Sequence, residues 1–179
     1  ITVRVDYVDG QGTAESLTSA AAGPVANVND TPAGLPTITG TPTEDQTLTV
    51  DTSAITDADG LGGFSLQWLR DGVAISGATG NSYTLADVDV GRLIAVRVAY
   101  VDAQGTAESL TSAAAGPVLN VNDAPTGLPV LIGTASEDQT LSVDTSGIAD
   151  IDGLGAFSMQ WLRDGVAVAG ATGASYTLG

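Results

Sequence analysis

Apolar and polar residues alternate along this chain in short runs, and no helical period outlasts a single turn. The clearest run holds Ile94, Val96, Val98 and Tyr100 on one face, with Ala95, Arg97 and Ala99 between them. A period of two marks a strand with one buried face. Similar runs occupy 36–40, 46–51, 64–70, 73–75, 82–85, 93–101 and 107–113, separated by Gly, Asn, Asp and Pro. Turn residues at such spacing predict an all-β fold. Asp71 and Gly72, between two apolar runs, predict a two-residue hairpin turn that needs positive φ. Asp102 to Gly105 predicts a longer hairpin loop, and 86–91 allows one helical turn. Seven short strands in about 93 residues predict a β-sandwich. Leu48 and Val50 are expected to point inward from one sheet. Leu66 and Trp68 face them from the other, with Trp68 at the centre of the core.

The pattern repeats. Shifted by 93 positions, residues 1–86 match 94–179 without a gap, with 65 identities in the 86 pairs. A period this long fits one domain per repeat in a tandem array. The Asn-Asp-x-Pro segments at 29–32 and 122–125 are the expected linkers. They frame a complete repeat at 30–122, the C-terminal part of another at 1–29 and the N-terminal part of a third at 123–179.

These residues carry a resemblance. A Trp in the third strand, then the corner Asp89-Val90-Gly91 and a long strand, resembles an immunoglobulin-like domain. The repeat as a whole resembles the tandem immunoglobulin-like or cadherin-like extender modules of giant, type I secreted, calcium-dependent bacterial surface adhesins. The segments that carry it are NVNDTP (27–32), TEDQTL (43–48), DADGLGGFSLQWLRDGVA (57–74) and DVGRLIAVRVAYVDAQGTAESL (89–110). The resemblance implies tandem immunoglobulin-like sandwiches that hold a distal ligand-binding domain away from the cell.

Composition narrows the chemistry. The chain has 21 acids against 5 bases, a formal net charge of −16, and no Cys or His. Thiol nucleophiles, imidazole bases, zinc fingers and Fe–S clusters held by cysteine are therefore excluded. The charge repels nucleic acid and anionic membranes. No apolar run approaches the ~20 residues of a membrane-spanning helix. Without disulfides, an extracellular domain of this size needs another staple.

The acids fall mainly in turns. Strand order sends Asp57, Asp59 and Asp102 to the leading end of the repeat. Glu44, Asp45, Asp71, Asp87 and Asp89 go to the trailing end. Clustered carboxylates repel one another, whereas Ca2+ takes six to eight oxygens of the kind these loops offer. The linker pattern N-x-N-D and the loop pattern D-x-D resemble the interdomain calcium motifs of cadherins. That resemblance implies a first junction built from Asn27, Asn29, Asp30, Asp57, Asp59 and Asp102. It implies a second built from Glu44, Asp45, Asp87 or Asp89, Asn120, Asn122, Asp123, Asp150 and Asp152. Cadherin linkers carry Asp where this chain has Asn27 and Asn120, which removes one charge per junction. Acidity that serves only solubility in high salt is the competing reading. Asp57-Ala58-Asp59-Gly60 is not an EF-hand, because Leu61 and Trp68 fall where that loop needs ligands. Glu15 and Glu108, mid-strand, are expected to be exposed edge charges that discourage pairing between molecules.

The resulting expectation is a calcium-rigidified structural extender in cell adhesion or biofilm formation. It would work outside the cell, at a bacterial surface, with neighbouring repeats of the same chain as its partners. A carbohydrate- or protein-binding module is the alternative. An enzyme is not expected, because Asp57 and Asp59 share one glycine-rich turn and cannot flank a substrate bond as paired carboxylates do.

Overall fold

A computed structural model describes residues 1–179. The chain is all-β, of sandwich type and antiparallel in its sheets. Its one helical element is a 3-10 turn at Asp87–Asp89. The chain divides into two compact units. One comprises Ile1–Thr39, Thr49–Tyr83 and Ile94–Ala114; the other comprises Gly40–Leu48, Thr84–Leu93 and Ala115–Gly179.

In the first unit, β1 (Arg4–Val8) and β2 (Ala14–Thr18) form a two-stranded hairpin, with Arg4 opposite Thr18 and Val8 opposite Ala14. β3 (Thr37–Thr39) pairs with β4 (Thr47–Asp51). β5 (Ser65–Arg70), β6 (Val73–Ala74), β7 (Ser82–Thr84), β8 (Ile94–Val101) and β9 (Ala107–Thr111) follow. Two sheets result, ordered β6–β5–β8–β9 and β3–β4–β7. β5 and β8 run opposite each other over six residue pairs, from Ser65 against Ala99 to Arg70 against Ile94. Each run expected at 36–40, 46–51, 64–70, 73–75, 82–85, 93–101 and 107–113 becomes a strand, trimmed by one or two residues at an end.

The alternation along β8 decides its packing. Ile94, Val96 and Val98 are fully buried and Tyr100 nearly so, while Arg97 and Val101 face solvent. Ile55, Val98 and Tyr100 pack together, with Leu66 and Leu110 against them. Phe64 meets the Tyr100 ring edge-on at 5.5 Å. Trp68 is fully buried against Tyr83. A buried indole needs a partner for its N–H, and Trp68 Nε1 donates to Gly80 O at 2.9 Å. Beside it, Gln67 Nε2 donates to Trp68 O and Ile75 O, tying the β6 segment to β5. Asp71 and Gly72 have φ of 47° and 81°, the left-handed pair that a two-residue hairpin turn requires. A Cβ at Gly62 would stand 1.9 Å from Val101 O, so these two backbones approach as only glycine allows.

The second unit holds β10 (Val130–Ile132), β11 (Thr140–Asp144), β12 (Leu162–Arg163), β13 (Val166–Ala167) and β14 (Ser175–Thr177). Their sheets are β10–β11–β14 and β12–β13. The internal bonds reproduce those of the first unit. Trp161 Nε1 donates to Gly173 O at 2.9 Å, and Gln160 Nε2 donates to Trp161 O and Val168 O. One element differs. β12 has two residues where the homologous β5 has six, because no strand pairs with 158–161 as β8 pairs with 65–68.

Candidate cation centre

The second linker and the acids expected beside it all lie in the second unit. Glu44 sits in the turn before β4. That turn is fixed by Gln46 N–H donating to Thr43 O and Glu44 N–H donating to Leu119 O. Asp45 takes φ of 61°, so the chain reverses there and Glu44 is held inward. The Glu44 side chain is only 2% exposed. Its Oε2 accepts a hydrogen bond from Val121 N–H at 3.0 Å, in the linker. Asp87 opens the 3-10 turn and is exposed. The turn is closed by Asp89, fully buried, whose Oδ2 accepts from Ala86 N–H at 3.0 Å. The linker itself is tied to the following repeat: Asp123 N–H donates to Asp152 Oδ2 at 2.8 Å, and Asp152 N–H donates to Asp150 Oδ1 at 3.0 Å. Asn122 Nδ2 donates to Asp123 O.

These pieces bring three carboxylates together. One oxygen each of Glu44, Asp87 and Asp123 lies within 4.8 Å of the other two. The electrostatics follow from that crowding. The Asp87 carboxylate, hydrogen-bonded to Glu44, pushes the Glu44 carboxyl above its usual range; the Val121 N–H pulls the other way. Asp123 is pushed up first by desolvation, then by the charges of Asp87, Asp152 and Asp45. A site that raises its carboxyl pKa values favours neutralisation, by protons or by a cation.

The first linker lies wholly in the first unit. Asp30 N–H donates to Asp59 Oδ2 at 2.7 Å, the same bond that joins Asp123 to Asp152. Asp59 is 8% exposed and receives no side-chain cation; its backbone N–H donates to Asp57 Oδ1. Asp57 Oδ2 accepts the Tyr100 hydroxyl at 2.6 Å. Asp102 is 5% exposed. Its Oδ1 accepts Gln104 and Thr106 N–H, both at 2.8 Å, while its buried Oδ2 has no hydrogen-bond partner. Burial pushes the Asp102 carboxyl up, and the backbone N–H groups of Thr106 and Gln104 outweigh it, so its pKa falls.

The residues expected from the sequence divide accordingly. Glu44, Asp87 and Asp123 converge, and Asp45 and Asp152 add charge beside them. Asp150 orients Asp152, as Asp57 orients Asp59. Asp89 serves its own turn. Asn122 is bonded within the linker, and Asn27 and Asn120 are exposed. Two groups were not foreseen at the first linker. Glu108 accepts Asn29 Nδ2 at 2.9 Å, so this strand residue reaches the linker in addition to sitting on the sheet edge. Tyr100 opposes Glu108 across β8 and β9 and meets Asp57. Their shared register, countable from the Asp102–Gly105 loop, is the signal that places both beside the linker.

No protein-family model matches the chain, and no curated protein matches it.

The donor set fits calcium. It consists of hard oxygens only, from the carboxylates of Glu44, Asp87 and Asp123. Ca–O bonds are 2.3–2.6 Å, so oxygens sharing one ion lie up to about 5 Å apart, a limit the 4.8 Å cluster meets. Glu44, Asp87 and Asp123 would hold the ion, and it would neutralise their charge.

Proposed function

We propose that the chain is a run of tandem immunoglobulin-like repeats, framed at 1–29, 30–122 and 123–179, which acts as a structural extender of an extracellular bacterial adhesin. Calcium at the linkers sets the stiffness of the run. The observation that carries the reading is the convergence of Glu44, Asp87 and Asp123, from a strand turn, a 3-10 turn and the linker. Three unrelated segments meeting through like charges repel unless protons or a cation neutralise them, and a cation can also join them. The first linker adds a buried, unpartnered Asp102 Oδ2 in a second acid-rich setting. Near-identity of the repeats suits a spacer, whose units need only be alike. Trp68, Tyr83 and Tyr100 are engaged in core contacts, which withdraws those rings from a sugar-binding platform.

Small-angle scattering of this chain, in calcium and in chelator, tests the proposal. The radius of gyration is expected to fall and the conformational spread to widen when calcium is removed. Scattering curves that superimpose in the two buffers would remove calcium from the account.

A further inference from the structure

We infer that Asp152 is a positioning residue: it clasps the linker amide of Asp123 and so holds the Asp123 carboxylate toward Glu44 and Asp87. Asp59 clasps Asp30 in the same way at the first linker. The clasp itself is a matter of hydrogen bonds; its effect on calcium rests on the reading proposed above.

The first observation is how the linker is held. Residues 120–125 make no backbone–backbone hydrogen bond. Leu119, before them, is bonded into the preceding repeat: its N–H donates to Pro42 O and its O accepts from Glu44 N–H, both at 2.9 Å. Thr126, after them, exchanges two bonds with Ala149 of the following repeat, at 2.7 and 3.0 Å. Between these anchors two backbone amides are held, each by a carboxylate. Val121 N–H donates to Glu44 Oε2 of the preceding repeat at 3.0 Å, and Asp123 N–H donates to Asp152 Oδ2 of the following one at 2.8 Å.

The second observation is that the two grips differ in kind. Glu44 is one of the three carboxylates within 4.8 Å of one another, set against the charges of Asp87 and Asp123. Asp152 stands outside that cluster. Its own N–H donates to Asp150 Oδ1 at 3.0 Å, a local side-chain turn that fixes the loop from which it reaches Asp123.

The third observation is that this chain of bonds is made twice. Asp59 N–H donates to Asp57 Oδ1 at 2.9 Å, and Asp30 N–H donates to Asp59 Oδ2 at 2.7 Å. The Tyr100 hydroxyl braces Asp57 in turn, donating to its Oδ2 at 2.6 Å. Ala58 stands between the two acids of one loop and Ile151 between those of the other, so the bonds persist although the middle residue differs. A ligand on a segment without backbone bonds must be ordered when it binds, and fixing it beforehand removes that cost. The clasp needs an acceptor oxygen, not a charge. With Leu119 bonded to one repeat and Asp123 to the next, the freedom left when Glu44 releases Val121 lies at 120–122.

Amide hydrogen exchange by NMR on the full chain, in chelator and in calcium, combined with calcium titration of each variant, provides the test. In chelator the Asp123 amide should be protected about tenfold or more over the Asn122 amide, as a hydrogen bond to a charged acceptor implies. Asp152→Ala should erase that difference, and Asp152→Asn, which keeps the oxygen, should retain most of it. Calcium should slow exchange at Val121 and leave Asp123 unchanged. Asp152→Ala should bind calcium about tenfold or more weakly than Asp152→Asn, the scale on which groups that orient metal ligands act. Both variants lose the same charge, so the comparison isolates the bond. Asp59→Ala should free the Asp30 amide and leave Asp123 protected, which general destabilisation would not do. An Asp123 amide that exchanges as fast as Asn122 in chelator would overturn the inference. So would equal affinities of the two Asp152 variants when wild type binds calcium. A chain that binds no calcium, with Asp123 protected through Asp152, contradicts the calcium reading and leaves the clasp standing.

Discussion

Glu44 shows how one side chain ties stability to a ligand. It is a nearly buried acid whose pKa is raised by a neighbouring acid, Asp87. Glu44→Gln should lower calcium affinity at least tenfold, since Ca2+ sites depend on ligand charge. In chelator the same change should leave the melting temperature unchanged or raise it, because it removes like-charge repulsion. A pH series tests the same balance. A carboxyl raised in the fold binds its proton more tightly folded than unfolded. Its contribution is therefore present in acid and lost as pH rises through the folded value. Glu44 and Asp123 are of that kind. Asp51, Asp102 and Asp144 are lowered, so their stabilisation holds above the ordinary value of 3.8 and fades as pH falls below it. In chelator, melting temperature should pass through a maximum between those ranges; in calcium, which prefers ionised carboxylates, it should stay level toward neutral pH. Trp68→Ala, in contrast, should cost roughly 3–5 kcal/mol with or without calcium, as a cavity in the core.

Strands and turns carry the next predictions. Gly62 and Gly63 are neighbours, yet a Cβ at Gly62 would strike Val101 O while one at Gly63 would meet nothing within 4 Å. Gly62→Ala should therefore cost about 1–3 kcal/mol, as overpacking against backbone does, and Gly63→Ala much less. Denaturant melts of the two variants compare them directly. At this level the sequence was informative. The alternation along Ile94–Val101 named the buried face of β8 correctly, and Asp71-Gly72 named the turn between β5 and β6. Period and turn chemistry are local, so they can be read locally. Strand length is less local: 157–163 keep the apolar pattern of 64–70, yet β12 spans only Leu162–Arg163 beside no counterpart of β8, as framing 123–179 as the N-terminal part of a repeat implies. The candidate site was legible in part for the same reason. Acids in turns could be sorted to one end of the repeat. That Glu44, Asp87 and Asp123 meet while Asp89 turns away to cap Ala86 depends on side-chain direction within a single 3-10 turn. Glu108 was read as an edge charge because its distance in sequence from Asn29 hides their contact.

For the chain as a whole, composition and function converge on one question. A net charge of −16 with no cysteine describes a protein that must either tolerate its own repulsion or bind cations. If cations are bound specifically, stability is linked to their concentration. At 100 times the dissociation constant, one calcium site adds about 2.7 kcal/mol to the folded state. Nonspecific screening would act through ionic strength alone, equally for calcium and for sodium at matched ionic strength. Calcium titration by isothermal calorimetry, at constant ionic strength, separates the two most directly when wild type is set beside Glu44→Gln. The account predicts a saturable isotherm for wild type and a much weaker one for the variant. Heats that never saturate, or that are the same in both proteins, would contradict it.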